Sequence, residues 1–236
     1  MILNGLKMEL LKLRRSHVFW LIVLIPLLFT AANGSLYFGS SQAGLDILRI
    51  VTFQIFLLFI YPLLMTFVIS IIVQMERKHD GIKNILLSPI QKWQMYVNKV
   101  LLLFLLNMII LTVSYAVLFI MTMIFDLHTS LQFFDEFTRF SSMLLAGTLI
   151  CSIQLLVTIY FSRIIMPIIF AILLTITGAF AATHPVFSHF HLWSYPVRAL
   201  YNGYNLYTLS IVSFLLLLIF TLIGVYLFPR KAMVSR

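Results

Sequence analysis

Charge is scarce in this sequence: 10% of the 236 residues are charged, against 62% that are apolar. A soluble domain carries about 25% charged residues. So few charges cannot clothe a water-facing surface, and the bulk of the chain belongs in a bilayer. Cysteine is nearly absent as well. The single Cys151 sits among Leu149, Ile150, Ser152 and Ile153. One cysteine excludes an intrachain disulfide, and no basic or histidine-rich surround activates the thiol, so it reads as a packing residue.

Several functional signatures are missing too. No stretch matches G-x-x-x-x-G-K-[ST], and Gly81-Ile82-Lys83 lacks both the second glycine and the Lys-Ser/Thr pair. The expectation is a chain that hydrolyses no ATP, has no catalytic residues and carries no cofactor or metal of its own. No Asp, Glu, Lys or Arg stands near the middle of an apolar run. Proton-coupled carriers keep such groups as relays, so this absence argues against a proton antiporter. H-E-x-x-H is absent, as is any clustered acid, His or Cys set, which argues against an intramembrane protease or lipid enzyme.

Six apolar runs are present, near 18–38, 47–75, 100–125, 141–161, 164–183 and 206–228. About 20 helical residues span the roughly 30 Å of hydrocarbon. The runs do not alternate apolar with polar residues, so a barrel is excluded. Pro26, Pro62 and Pro167 fall inside runs, where a membrane bundle tolerates kinks. The first run follows basic residues as a secretory signal would, but five further runs follow it, so it reads as an uncleaved span. The fold expected is an all-α integral membrane protein with six transmembrane helices in a single domain, 1–236.

The net charge of +9 is collected in short stretches between the runs. Such stretches set topology; they do not form the extended basic surface that nucleic acid needs. Lys7, Lys12, Arg14, Arg15, Arg77, Lys78, Lys83, Lys92, Lys99, Arg163, Arg230, Lys231 and Arg236 fall on one side. Only Arg49, Arg139 and Arg198 fall on the other, with Asp46, Asp126, Asp135 and Glu136. The positive-inside rule then places both termini in the cytoplasm. Within 1–17, Leu3, Leu6, Leu10 and Leu13 recur at helical spacing, with Lys7, Lys12 and Arg14 largely off that stripe. That pattern suits an amphipathic helix lying in the lipid interface.

The longest connection on the basic side is 76–99. Ile82, Ile85, Leu86 and Leu87 give one apolar stripe on a short helix, which Ser88-Pro89 ends. A helix of this kind lies on the membrane or docks into a groove on another protein, and a solvated loop gives the same residues. The mid-run polar residues Gln54, Asn107, Gln154, Thr158 and Thr175 are all neutral. They suit hydrogen bonds between helices. Gln54, Asn107, Gln154 and Thr158, with Trp193 and Tyr195, are also the candidates for a substrate path. The segment 184–205 on the opposite side is aromatic and holds His184, His189, His191, Tyr201 and Tyr204. Its Trp and Tyr residues read as interface anchors, and His189-Phe190-His191 is too sparse for a metal site.

This layout resembles the membrane subunit of an ABC-2 type transporter. Glu76, Gly81, Leu86, Leu87, Ser88, Pro89 and Lys99 match that family's segment after the second span. Met8-Glu9-Leu10-Leu11-Lys12-Leu13-Arg14-Arg15-Ser16 is similar to the start of lantibiotic and bacteriocin immunity permeases. The resemblance implies that 76–99 is a coupling helix seated on a separate ABC ATPase subunit, which would bind ATP and Mg. Gly81 would allow close approach, Ile82, Ile85 and Leu86 would fill an apolar groove beside Leu87, and Glu76, Arg77 and Asp80 would pair with the partner. It also implies a second permease subunit, identical or homologous, and short external helices at 184–205. The substrate would be an amphipathic antimicrobial peptide. The alternatives are an exporter of another lipophilic or drug-like compound, or a non-transporting protein for peptide immunity or assembly.

Overall fold

A computed structural model describes residues 5–7, 9–11, 18–39, 44–78, 92–127, 132–161, 163–184 and 186–234. Among the described residues there are helices and no strands. Six helices are long and apolar enough to cross a membrane: Val18–Phe38, Leu45–Met75, Trp93–Ile124, Phe133–Tyr160, Ile165–Thr183 and Leu206–Phe228. In hydrocarbon each backbone N–H needs a partner within its own segment, which a helix provides. The chain is therefore a multi-pass membrane protein. Successive spans alternate in direction. One end of the bundle, the termini end, gathers Glu9, Arg77, Lys99 and the last turn of the fourth span. The far end gathers Arg49, Glu136, Arg139 and the segment before the sixth span.

The centre lies among the second, third and fourth spans, whose apolar stretches are 61%, 50% and 72% buried, whereas that of the sixth is 11% buried. The sixth span packs along the fourth, and the first along the third. Within the centre, Gly147 of the fourth span faces Asn107 of the third and Tyr61 of the second, and a Cβ there would lie 2.8 Å from Asn107 Nδ2. Only glycine allows these three helices to meet so closely.

Two helices begin earlier than the apolar runs suggest. The third is helical from Lys92 rather than from about 100, and the fourth from Phe133 rather than from about 141. Hydropathy ends where charge begins, but the helix does not. Asp135 and Glu136 lie in the first turn of the fourth helix, where the dipole favours acids, and Arg139 follows Asp135 at i+4. The second span contains a π turn at Phe56–Ile60, in which the Tyr61 N–H donates to the Phe56 carbonyl. Proline removes a donor and crowds the preceding turn, and this widened turn accommodates Pro62 directly after it. At the start of the chain, residues 5–7 and 9–11 are helical. Leu6 and Glu9 face the bundle: Leu6 packs on the core, and Glu9 Oε1 lies 3.7 Å from Lys99 Nζ. Leu10 is exposed, and Leu3 and Leu13 lie outside the described residues.

A closed ring of charge holds the far end. Arg49, buried to 2% exposure, donates to Asp46 Oδ1 at 2.9 Å and to Glu136 Oε1. Asp135 Oδ2 lies 3.9 Å from Arg49 and accepts from Arg139 Nε at 2.8 Å. Arg139 also donates to the Ala199 carbonyl at 2.9 Å and to Asn202 Oδ1. Asn202 Nδ2 donates to Asp46 Oδ2 at 2.8 Å, which closes the ring. The second span, the fourth span and the 198–202 segment are thereby joined.

Breaking one side of a buried ion pair leaves a charge uncompensated, at a cost of about 3–5 kcal/mol. Glu136→Gln is expected to destabilise the chain by about 3 kcal/mol, toward the low end because Asp46 remains beside Arg49. Asp126 is exposed at φ 55, a conformation that Asn tolerates equally, so Asp126→Asn is expected to stay within about 0.5 kcal/mol. Thermal unfolding of the purified full chain in detergent reads both, and equal effects would contradict the ring's role.

Candidate functional site

The helix Tyr61–Lys78 ends where the sequence places a docking segment, and the helix Lys92–Ile124 leads back into the bundle. Of the residues expected to meet an ATPase, the Glu76 side chain, Asp80, Gly81, Ile82, Ile85, Leu86 and Leu87 lie outside the described residues. Arg77 is described, and its guanidinium turns back onto the bundle. It donates to the carbonyls of Thr158 and Phe161 at 3.0 Å and of Ile159 at 3.2 Å. The last carbonyls of a helix have no intrahelical partner and carry the negative end of its dipole, so a cation there satisfies both needs. Burial lowers Arg77 from its usual range. The end of the second span is thus bound to the end of the fourth, at the start of the segment 76–99.

The mid-span polar residues serve contacts between helices. Asn107 is fully buried; its Nδ2 donates to the Leu144 carbonyl at 2.9 Å and to Thr148 Oγ1 at 3.2 Å. Gln154 Nε2 donates to the Pro167 carbonyl at 2.9 Å, joining the fourth span to the fifth. Thr158 Oγ1 bonds back to the Gln154 carbonyl within its own helix. The Tyr61 hydroxyl lies 3.6 Å from Cys151 Sγ, so the thiol packs against the second span. Gln54 is half-buried on the second span. Asn107, Gln154 and Thr158 therefore line a tight seam around the fourth helix.

Trp193 and Tyr195 lie at the far end, apart from that seam. The segment before the sixth span forms short helices at Phe187–Phe190, Leu192–Ser194 and Tyr195–Arg198. Trp193 is buried against Phe170, ring centroids 6.3 Å apart, and its Cβ sits over Gly178 of the fifth span. The Tyr195 hydroxyl donates to the His189 carbonyl at 2.8 Å. His189 and His191 face different partners: His189 Nδ1 is 2.8 Å from Arg198 Nη2, and His191 Nε2 is 3.0 Å from Thr177 Oγ1. Burial lowers His191, and it raises the Tyr195 and Tyr201 hydroxyls. A cavity of about 650 Å³ opens beside Arg198, Tyr204 and Thr208.

Reading the sequence by runs missed the far-end charges. Asp135, Glu136 and Arg139 fall outside the apolar runs and Arg49 at the edge of the second, although the i+3 spacing of Asp46 to Arg49 and the i+4 spacing of Asp135 to Arg139 mark helix ends. The pairing of Arg49 with Glu136, distant in sequence, left no local signal.

The model of a protein family described as ABC-2 family transporter protein matches residues 5–178. None of the curated proteins and none of the solved structures matches the chain. The matched stretch runs from the N-terminal helix through most of the fifth span and covers the charged ring's second- and fourth-span members. Permeases of this kind cross the membrane and work with an ABC ATPase partner. On that match and on its six apolar helices, the chain belongs to the ABC-2 family of transporter proteins, as a membrane-spanning permease subunit.

Proposed function

We propose that this chain is the gate of an ATP-driven exporter, with ATP and Mg bound by a separate ATPase whose cleft receives the coupling segment 76–99. The termini face the cytoplasm, and a second permease, identical or homologous, completes the path. The single observation carrying this reading is the Arg77 clamp. A push on the docking segment enters the second span through a continuous helix and reaches the fourth span through three hydrogen bonds. At the far end the same two spans meet again through Arg49 and Glu136. Motion delivered at one end therefore has a stiff route to the other.

The substrate in this reading is amphipathic, specifically a cationic antimicrobial peptide drawn from the outer leaflet. The similarity of residues 8–16 to immunity permeases supports it. So does the aromatic far end, where Phe133, Phe134 and Phe137 are exposed at 76%, 83% and 60%. Gln54, Asn107, Gln154 and Thr158 would face a path only after the seam opens. The sparse burial of the fifth and sixth spans, 28% and 11%, leaves faces for lipid and for a second permease.

Two substitutions separate docking from transmission. Gly81→Asp with Leu86→Asp is expected to abolish co-purification of the ATPase, since a charge in an apolar groove loses its fit. Undiminished co-purification would contradict the docking assignment. Arg77→Ala is expected to retain the ATPase but to lower peptide export by the reconstituted complex about tenfold, equivalent to about 1.4 kcal/mol. Unchanged export would contradict transmission through the clamp.

A further inference from the structure

Arg49, Arg139 and Arg198 all lie at the far end, and their neutralisation differs. Arg49 and Arg139 pair with Asp46, Asp135 and Glu136. Arg198 is 7% exposed, and among the described residues no carboxylate lies within ion-pair distance of it. Its partners are neutral. Nη1 donates to the Ser188 carbonyl at 3.2 Å, and Nη2 donates to His189 Nδ1 at 2.8 Å. The guanidinium carbon lies 4.3 Å from the Tyr204 ring centre and 5.5 Å from that of Tyr195. Nε is buried with no hydrogen-bond partner. A buried cation without a counter-ion is costly, and burial lowers its pKa from the usual range.

The same arginine lines the cavity of about 650 Å³, within the roughly 300–1,000 Å³ of small-molecule sites. The cavity is amphipathic. Its upper wall carries Arg198, His189, Tyr204 and Thr208, and Leu209 and Val212 of the sixth span continue it inward. The sixth span is the least buried of the six, so this lower part borders the span that faces lipid. The missing charge and the shape together define an occupant.

We propose that this cavity binds a phosphate group of net negative charge as counter-ion to Arg198, with Leu209 and Val212 placed to take the apolar part where the phosphate belongs to a lipid. Arginine suits a phosphate because its planar fork meets two oxygens at once. The source of the phosphate is either a lipid head group of the surrounding leaflet or a free phosphate ion. The cationic peptide of the proposed function would be repelled here, so the site is separate from the export path and does not rest on that reading.

Native mass spectrometry of the purified full chain in detergent tests this, with phosphatidylglycerol, phosphatidylcholine and inorganic phosphate as probes. Phosphatidylglycerol is expected to be retained in preference to phosphatidylcholine. Arg198→Gln is expected to weaken that retention about tenfold, as loss of a charged hydrogen bond does. Val212→Trp, which adds bulk to the cavity lining and leaves Arg198 unchanged, is expected to weaken it similarly and guards against misfolding of the first variant. Retention of inorganic phosphate alone, lost in Arg198→Gln, would uphold the anion site and identify a free ion as its source. Equal retention of both lipids with no binding of phosphate would overturn the proposal, as would retention unchanged in both variants.

Discussion

The structure depends on the second and fourth spans being tied at both ends by arginine. At the termini end Arg77 holds the last carbonyls of the fourth helix. At the far end Arg49 meets Glu136 in the first turn of the same helix. Between them the Tyr61 hydroxyl touches Cys151, and Gly147 lets the two backbones close. Lipid tails supply no hydrophobic drive between helices, so close packing and polar contacts set the geometry. In hydrocarbon or at its edge these charges have little competing water, which makes each tie strong and its loss expensive.

Much of this was legible in the sequence, and the limits have physical causes. The six spans follow from composition and run length, since an apolar run of about 20 residues has one stable form in a bilayer. The helix ends did not follow. Charged turns such as that of Asp135, Glu136 and Arg139 look like connections to a hydropathy reading, yet the carboxylates are neutralised across helices by Arg49 and Arg139 pairs with Asp135 within the turn. Such pairings join positions far apart in sequence and have no local signature. Asn107 and Gln154 were readable as interhelical bonds because a neutral amide in a span needs a partner, although the partner, a backbone carbonyl in each case, was not. The family resemblance makes Arg77, within the segment 76–99, a docking charge. Its bond to Thr158, Ile159 and Phe161 required the fold.

These ties give the family assignment a physical form. A permease of this family works with an ABC ATPase partner, and work passed between them needs a part rigid enough to carry it. The helix Tyr61–Lys78 runs unbroken into the start of the segment 76–99, and the π turn at Phe56–Ile60 lies at its other end, toward the far end of the bundle. A π turn interrupts the regular ladder of hydrogen bonds and is a natural place for a helix to bend. The rigid length therefore lies at the termini end, and the bendable point lies toward the far end.

The central claim is that the second and fourth spans move as one body. Spin labels at Met75 and Tyr160, in a Cys151→Ala background, report their separation at the termini end by pulsed dipolar spectroscopy on the complex with its ATPase. The account predicts one distance distribution, unchanged between nucleotide-free and ATP-bound samples and broadened by Arg77→Ala. A shift of several ångströms on ATP binding, with Arg77 intact, would contradict it.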